Sequence, residues 1–122
     1  MPINSAIVEK ALETELARIA QPELAACIRK HLVPLRCESR EWDYGSPGLS
    51  FPCWIFAEHQ ASNTAFAYCE QGFGPGDPWG LLSIQGEHMS IGMDSGWFAS
   101  LEGAFRDSMA WDGVDPPGYQ VS

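Results

Sequence analysis

Positive charge is scarce in this sequence. The 122 residues include seven Lys and Arg against sixteen Asp and Glu, so the formal net charge is -9. Proteins bind nucleic acids and anionic lipid surfaces through clusters of Lys and Arg, and an acidic chain repels both. The composition therefore argues against nucleic acid and membrane partners. It favours a basic protein as the partner.

Long apolar runs are also missing. No stretch approaches the ~20 apolar residues that a membrane-spanning helix needs. Residues 1–5 lack the basic head and apolar segment of a signal peptide. The four cysteines include no C-x-x-C pair, and we expect them to be reduced thiols: Cys27, Cys37, Cys53 and Cys69. Together these absences predict a cytoplasmic protein.

The glycine-rich segment at residues 72–80 lacks a phosphate-binding signature. A phosphate loop ends in Gly-Lys-Ser or Gly-Lys-Thr and leads into a helix. This segment contains no Lys, carries the acidic Asp77 and leads into an apolar run. We therefore expect no nucleotide cofactor.

The three histidines, His31, His59 and His88, are too far apart in sequence for a typical zinc motif. A metal site that joins Cys53 and Cys69 to His59 and His88 would need the fold to bring them together. A nucleophilic pair of Cys69 and His88 has the same requirement. The simpler expectation is a protein with no catalytic residue, no metal and no cofactor.

A β-hairpin signal lies at the centre of the chain. Residues 53–59 and 64–70 are apolar, aromatic-rich runs on either side of the polar turn at residues 60–63. Bulky and small side chains alternate, so one face of the hairpin is bulky and the other is small. We expect the small face to pack against a helix. The bulky face would then be covered by loops or available to a partner. A turn centred on residues 60–63 places Glu58 opposite Ala65 and Glu70 opposite Cys53.

Helical spacing surrounds this hairpin. Residues 5–20 and the segment after Pro22 form either two helices or one kinked helix, and residues 35–43 predict a charged edge strand. One further strand or short hairpin follows the glycine-rich segment. A last helix begins at Asp94 or Ser95, with an apolar stripe of Phe98, Leu101, Phe105 and Met109. We predict a single α+β domain over residues 1–122: an N-terminal helix or helix pair, an antiparallel sheet of about four strands and a C-terminal helix in a two-layer sandwich.

The acidic residues are concentrated in the second part of the chain. Residues 1–36 hold five basic and four acidic groups, whereas residues 37–122 hold two basic and twelve acidic groups. This asymmetry suggests that the sheet region binds a basic partner, although acidity also serves solubility alone. In the stiff glycine- and proline-rich segment and just after it, we expect acids to steer the partner and aromatic rings to anchor it. The alternative is that the rings are buried. The candidate partner-binding residues are Glu70, Phe73, Asp77, Trp79 and Glu87.

Three Trp- and Gly-rich blocks carry a resemblance: F-P-C-W-I-F-A-E-H, Y-C-E-Q-G-F-G-P-G-D-P-W-G-L and G-M-D-S-G-W-F. With its size, charge and element order, the chain resembles the small acidic immunity proteins of bacterial polymorphic-toxin and contact-dependent inhibition systems. The resemblance implies a protein that binds and neutralises a basic toxin domain, commonly a nuclease. It carries over no site residues.

Two other functions stay open at this point. The chain also fits an acidic secretion chaperone or adaptor, which would form a dimer through the strand at residues 35–43 or through an exposed helix stripe. It fits, in addition, a small enzyme that uses Cys69, His59 or His88. The sequence does not decide between a monomer and a homodimer.

Overall fold

A five-stranded antiparallel sheet and three helices make up the computed structural model, which describes residues 4–42, 48–86, 89–111 and 113. The strands lie side by side in chain order, so β1 is an edge strand as predicted. The predicted α+β class is confirmed, with five strands where about four were expected. The strands are β1 (Leu32–Glu41), β2 (Ser50–His59), β3 (Thr64–Tyr68), β4 (Trp79–Ser83) and β5 (Trp97–Phe98), and the helices are α1 (Ser5–Arg18), α2 (Pro22–His31) and α3 (Leu101–Asp107).

The N-terminal region forms two separate helices. Asn4 caps α1, because its side-chain oxygen accepts a hydrogen bond from the Ile7 N–H at 3.1 Å. Pro22 is the first residue of α2, where a missing N–H costs nothing. None of the described helices is both long and apolar enough to cross a membrane.

The last helix begins later than the sequence predicts. We expected a start at Asp94 or Ser95, but the residues at 97 and 98 form β5 and α3 begins at Leu101. Ser100 caps it by accepting a hydrogen bond from the Gly103 N–H at 3.0 Å. The predicted apolar stripe is therefore split, with Phe98 in β5 and both Leu101 and Phe105 in α3. Met109 lies beyond the helix end and is 78% exposed.

The two faces of the sheet are covered differently. The bulky face packs against the helices, where Phe66 stacks on Phe105 with ring centroids 3.9 Å apart. The small face lies under the chain segments that follow β3 and β4, and its cover includes Phe73, Ile91 and Trp97. The expectation that the small face packs against a helix is therefore wrong. Large side chains fill the wider gap to the helices, whereas small ones let loop backbone approach the sheet closely.

A β-bulge at Phe56 changes the register between β2 and β3. Glu58 lies opposite Ala65, as predicted, but Trp54 pairs with Tyr68. Continuing this register by one residue places Cys53 opposite Cys69, so the predicted pairing of Cys53 with Glu70 is wrong. The bulge inserts one residue into β2, which explains the shift by one position.

A row of paired charges runs along β1. The Arg36 guanidinium contacts the carboxylates of Glu38 and Glu58 at 2.7 Å each, and Arg40 contacts Glu38 at 2.7 Å. The two arginines, Arg36 first, hold the pKa of the Glu38 carboxyl below its usual value. Arg40 is only 4% exposed and also donates to the carbonyl oxygen of Ser83. These cations are therefore neutralised within the fold.

Gly80 supplies the space into which Trp97 packs, and this contact generates a stability prediction. A Cβ at Gly80 would lie 2.5 Å from the Trp97 ring, whereas a Cβ at Gly76 would meet nothing within 4 Å. We expect Gly80→Ala to lower the free energy of unfolding by about 2–3 kcal/mol through overpacking. The matched control Gly76→Ala should change it by less than about 0.5 kcal/mol. Urea unfolding of both variants measures the difference, and equal stabilities would contradict this packing.

Candidate functional site

Three strand ends meet at one end of the sheet. Because the strands are antiparallel, the C-terminal ends of β1 and β3 lie at the same end as the N-terminus of β4. We call the surface formed by Glu41, Trp42 and residues 69–78 the loop end. The rings of Trp42 and Phe73 touch with centroids 5.7 Å apart, which joins its two parts.

The segment at residues 69–78 is held in a defined shape. The Cys69 N–H donates to the Pro78 carbonyl at 2.9 Å, and the Asp77 N–H donates to the Gly74 carbonyl at 3.2 Å. Gly74 adopts a φ of +93°, a conformation that glycine accepts without strain. Because the segment is already folded, a partner that binds it loses little entropy in ordering it.

Three of the five candidate residues lie together at the loop end. Asp77 is exposed, and Glu70 and Phe73 are half-buried. Phe73 packs inward against Trp42 and, with a centroid distance of 6.1 Å, against Trp97, while part of its surface stays accessible. Phe73 thus contributes both to the packing beneath the loop end and to its surface.

Trp79 belongs to the core. It is 3% exposed, and its ring packs edge-on against Phe56 and Tyr68 with centroid distances of 5.5 and 4.9 Å. Its predicted role as an exposed anchor is corrected to a structural one. Glu87, the fifth candidate, lies outside the described residues.

Glu70 is positioned by a neighbouring phenol. The Tyr68 hydroxyl donates a hydrogen bond to the Glu70 carboxylate. Burial, and then this carboxylate, raise the pKa of Tyr68 well above its ordinary value. Since Tyr68 is itself packed in the core, Glu70 is held on a rigid support.

Glu41 joins the acidic surface, and sequence reasoning missed it. It is exposed at the last position of β1, and its carbonyl accepts from the Ile91 N–H at 2.8 Å. The loop end thus contains the carboxylates of Glu41, Glu70 and Asp77 and no Lys or Arg. Strand order was the signal that could have revealed Glu41. Antiparallel pairing of β1 with β2 and of β2 with β3 brings residue 41 to the same end of the sheet as residues 69–78.

A groove of about 350 Å³ borders this surface. It runs between α1 and the ends of β3 and β4, with an apolar floor and one cation, Lys10. The lining residues are Ile7, Lys10, Ala11, Thr14, Glu15, Tyr68, Pro78 and Trp79. Carboxylates beside an apolar groove suit a partner that combines basic and apolar side chains.

A second cavity of about 480 Å³ lies at the opposite end of the sheet. Its lining is rich in hydroxyl groups, from Ser62, Thr64, Ser83, Ser90 and Ser108. The carboxylate of Asp107 also lines it. None of the described candidate residues contributes to it, so the loop end is the stronger site.

Cys69 and His59, two described residues of the predicted Cys/His sites, do not converge on one centre. His59 pairs with Thr64 at the start of β3, whereas Cys69 follows its end, which at ~3.4 Å per residue separates them by roughly 17 Å. His59 instead packs against His31, with ring centroids 5.3 Å apart. His88 lies outside the described residues. Within the described ranges, no three or more His, Cys, Asp or Glu side chains are grouped to hold a metal ion.

Comparison with known proteins adds no relative to this description. No family model, no curated protein and no solved structure matches the chain. The function is therefore inferred from the geometry of the loop end and from the sequence itself.

The Tyr68–Glu70 contact predicts a pH-dependent stability. The folded-state pKa of Tyr68 is raised above the unfolded value of 10.0. The contribution of Tyr68 to the free energy of unfolding is therefore complete below about pH 10 and is lost as pH rises further. Tyr68→Phe should cost about 1 kcal/mol of unfolding free energy at pH 7. The difference from the parent protein should shrink between pH 10 and 11 in urea unfolding. A constant difference over this range would contradict the prediction. In Glu70→Gln, which keeps an acceptor but loses the charge, the alkaline loss should be smaller.

Proposed function

We propose that this protein is an acidic protein-binding module that uses the loop end to bind a basic protein, and that it is an immunity protein that neutralises a basic toxin domain. The observation that carries the proposal is the cluster of Glu41, Glu70 and Asp77 on a preformed surface without Lys or Arg. The resemblance of the Trp- and Gly-rich blocks supports the immunity class.

The internal ion pairs strengthen the negative potential of this surface. Residues 37–122 contain two cations, Arg40 and Arg106, and both side chains are buried against carboxylates, those of Glu38 and Glu102. Neither cation lies at the surface to offset the loop end. Lys10, which lines the neighbouring groove, offsets part of this negative charge. The remaining excess accelerates encounter with a basic partner and disfavours acidic competitors.

The apolar part of the binding surface comes from Phe73 and the neighbouring groove. Phe73 is half-buried in the same segment as Glu70 and Asp77, and the groove beside α1 can accept an apolar side chain of the partner. An arginine of the partner would pair with Asp77 or Glu41 in a forked geometry. If the partner is a nuclease, its basic cleft normally holds phosphates, and these carboxylates would occupy that cleft in their place.

A paired charge reversal tests the proposal. The test partner is the protein encoded next to this gene, and the variant is Glu41→Lys with Asp77→Lys, both at exposed positions. We expect affinity in calorimetry to fall by roughly a hundredfold or more, because two attractive contacts become repulsive. The loss should appear mainly in the association rate at low salt.

The matched control changes the same net charge elsewhere. Glu9→Lys with Glu13→Lys alters two exposed residues of α1 that do not line the groove. Its affinity should stay within about threefold of the parent protein, since exposed charges outside the groove and the loop end contribute little. Equal losses in both variants would mean that only net charge matters and would overturn the loop end as the binding surface. No loss in either would have the same consequence.

A further inference from the structure

Two buried cysteines lie on neighbouring strands on the small face of the sheet. Cys53 in β2 is 0% exposed, and Cys69, just after β3, is 1% exposed. The bulge at Phe56 places them directly opposite. The Cys69 N–H donates to Pro78 on the β4 side, so the pair makes no backbone hydrogen bonds between its own strands.

This kind of cross-strand position has the geometry that a disulfide needs. Non-hydrogen-bonded pairs in antiparallel sheets have Cα atoms about 4.5 Å apart. Disulfides span Cα separations of about 4.4–6.8 Å. The cross-strand position therefore suits a disulfide between Cys53 and Cys69. In the reduced pair the Cys53 thiol donates to the Phe51 carbonyl at 3.6 Å. Both thiols are reduced in the structure.

The start of the segment at residues 69–78 lies beside the Cys69 sulfur, since a Cβ at Gly72 would lie 3.7 Å from it. The neighbouring Cys53 thiol lowers the pKa of Cys69 most; burial opposes this shift, and the nearby backbone N–H groups of Gln71 and Gly72 add to it. The interaction with Cys69 and then burial raise the pKa of Cys53. Of the two sulfurs, Cys69 is therefore the more readily deprotonated and the better nucleophile.

We propose that Cys53 and Cys69 form a redox-active dithiol, a modification site that a peroxide oxidises to a disulfide. The Cys69 thiolate attacks one peroxide oxygen, which gives a sulfenic acid at Cys69 and releases hydroxide. The Cys53 sulfur then attacks the Cys69 sulfur, the S–S bond forms and the sulfenic oxygen leaves as water with the Cys53 proton. The hydroxide takes up the proton that Cys69 had lost, so two thiols supply two electrons and one peroxide yields two waters.

Oxidation changes what holds the acidic segment. A disulfide ties the Cys69 sulfur, which lies beside Gly72, to Cys53 in β2. Cys69 and Gly72 flank Glu70 and Gln71, so a new position of this sulfur changes the preorganised shape of the loop end. This consequence, unlike the disulfide itself, rests on the proposed function.

The remaining cysteines supply the control. Cys37 is exposed and lies opposite Trp54, on the other face of the sheet from Cys53. Cys27 in α2 points its thiol at the Ala110 carbonyl, 3.3 Å away. A Cys27→Ser, Cys37→Ser variant keeps the proposed dithiol and removes both alternatives.

The test treats this double variant and the parent protein with hydrogen peroxide under native conditions, followed by alkylation of free thiols and peptide mass spectrometry. In both proteins we expect a peptide linked through Cys53 and Cys69, lighter by two hydrogens and restored by dithiothreitol. Circular dichroism checks that the fold is retained. Two alkylated thiols after treatment, or links that involve Cys27 or Cys37 in the parent protein, would overturn the proposal.

The effect on binding is measured separately. Oxidised protein should bind the partner roughly tenfold more weakly than reduced protein, and Cys69→Ser should lose this redox dependence. Equal affinities would overturn the coupling to the loop end while leaving the dithiol intact. Because the linkage assay uses no partner, it gives the same result whether or not the proposed function is correct.

Discussion

The packing of Trp97 over Gly80 is the contact on which the layer covering the small face of the sheet depends. The ring occupies the space where a Cβ would otherwise lie, and its indole N–H donates to the buried Ile91 carbonyl at 2.8 Å. The same ring touches Phe73, which in turn touches Trp42. One side chain thus links β4, the segment that follows it and the loop end. Without this layer, the small face of the sheet would be open to water and the acidic surface would have no rigid base.

The sequence predicted the elements better than it predicted their contacts. The hairpin, the edge strand and the Glu58–Ala65 pairing all follow from local patterns that the structure contains. The late start of α3 does not. Phe98, Leu101 and Phe105 keep helical spacing, but Trp97 and Phe98 are drawn into the sheet because Gly80 leaves room for the Trp97 ring. Such a fit between distant residues is invisible to periodicity.

The bulge at Phe56 explains a second group of missed features. A two-residue alternation fixes which side chains share a face only while the register is unbroken. One inserted residue replaced Glu70 by Cys69 as the neighbour of Cys53. From the sequence, Cys53 and Cys69 came together only in a hypothetical metal site, because the predicted register did not make them direct cross-strand neighbours. Nothing in the local sequence of β2 marks the position of this insertion.

The candidate site was predicted in part. Glu70, Phe73 and Asp77 lie at the loop end because a short, stiff connection between antiparallel strands keeps them there. Trp79 differs because it opens β4, and a strand residue that points at the helices is buried whatever its flanking sequence. Glu41 required knowledge of strand order. The excess of acidic residues was visible in the composition. The burial of Arg40 against Glu38, which keeps this cation away from the acidic residues of the loop end, was not.

The central claim is that the acidic loop end is a rigid surface supported by the layer beneath it. Amide hydrogen exchange of the isolated protein tests this most directly, through the Cys69 N–H and the Trp97 indole N–H. The account predicts that both exchange at least about a hundredfold more slowly than in an unstructured peptide, because both are hydrogen-bonded and buried. Exchange of the Cys69 N–H at the rate of an unstructured peptide would contradict it.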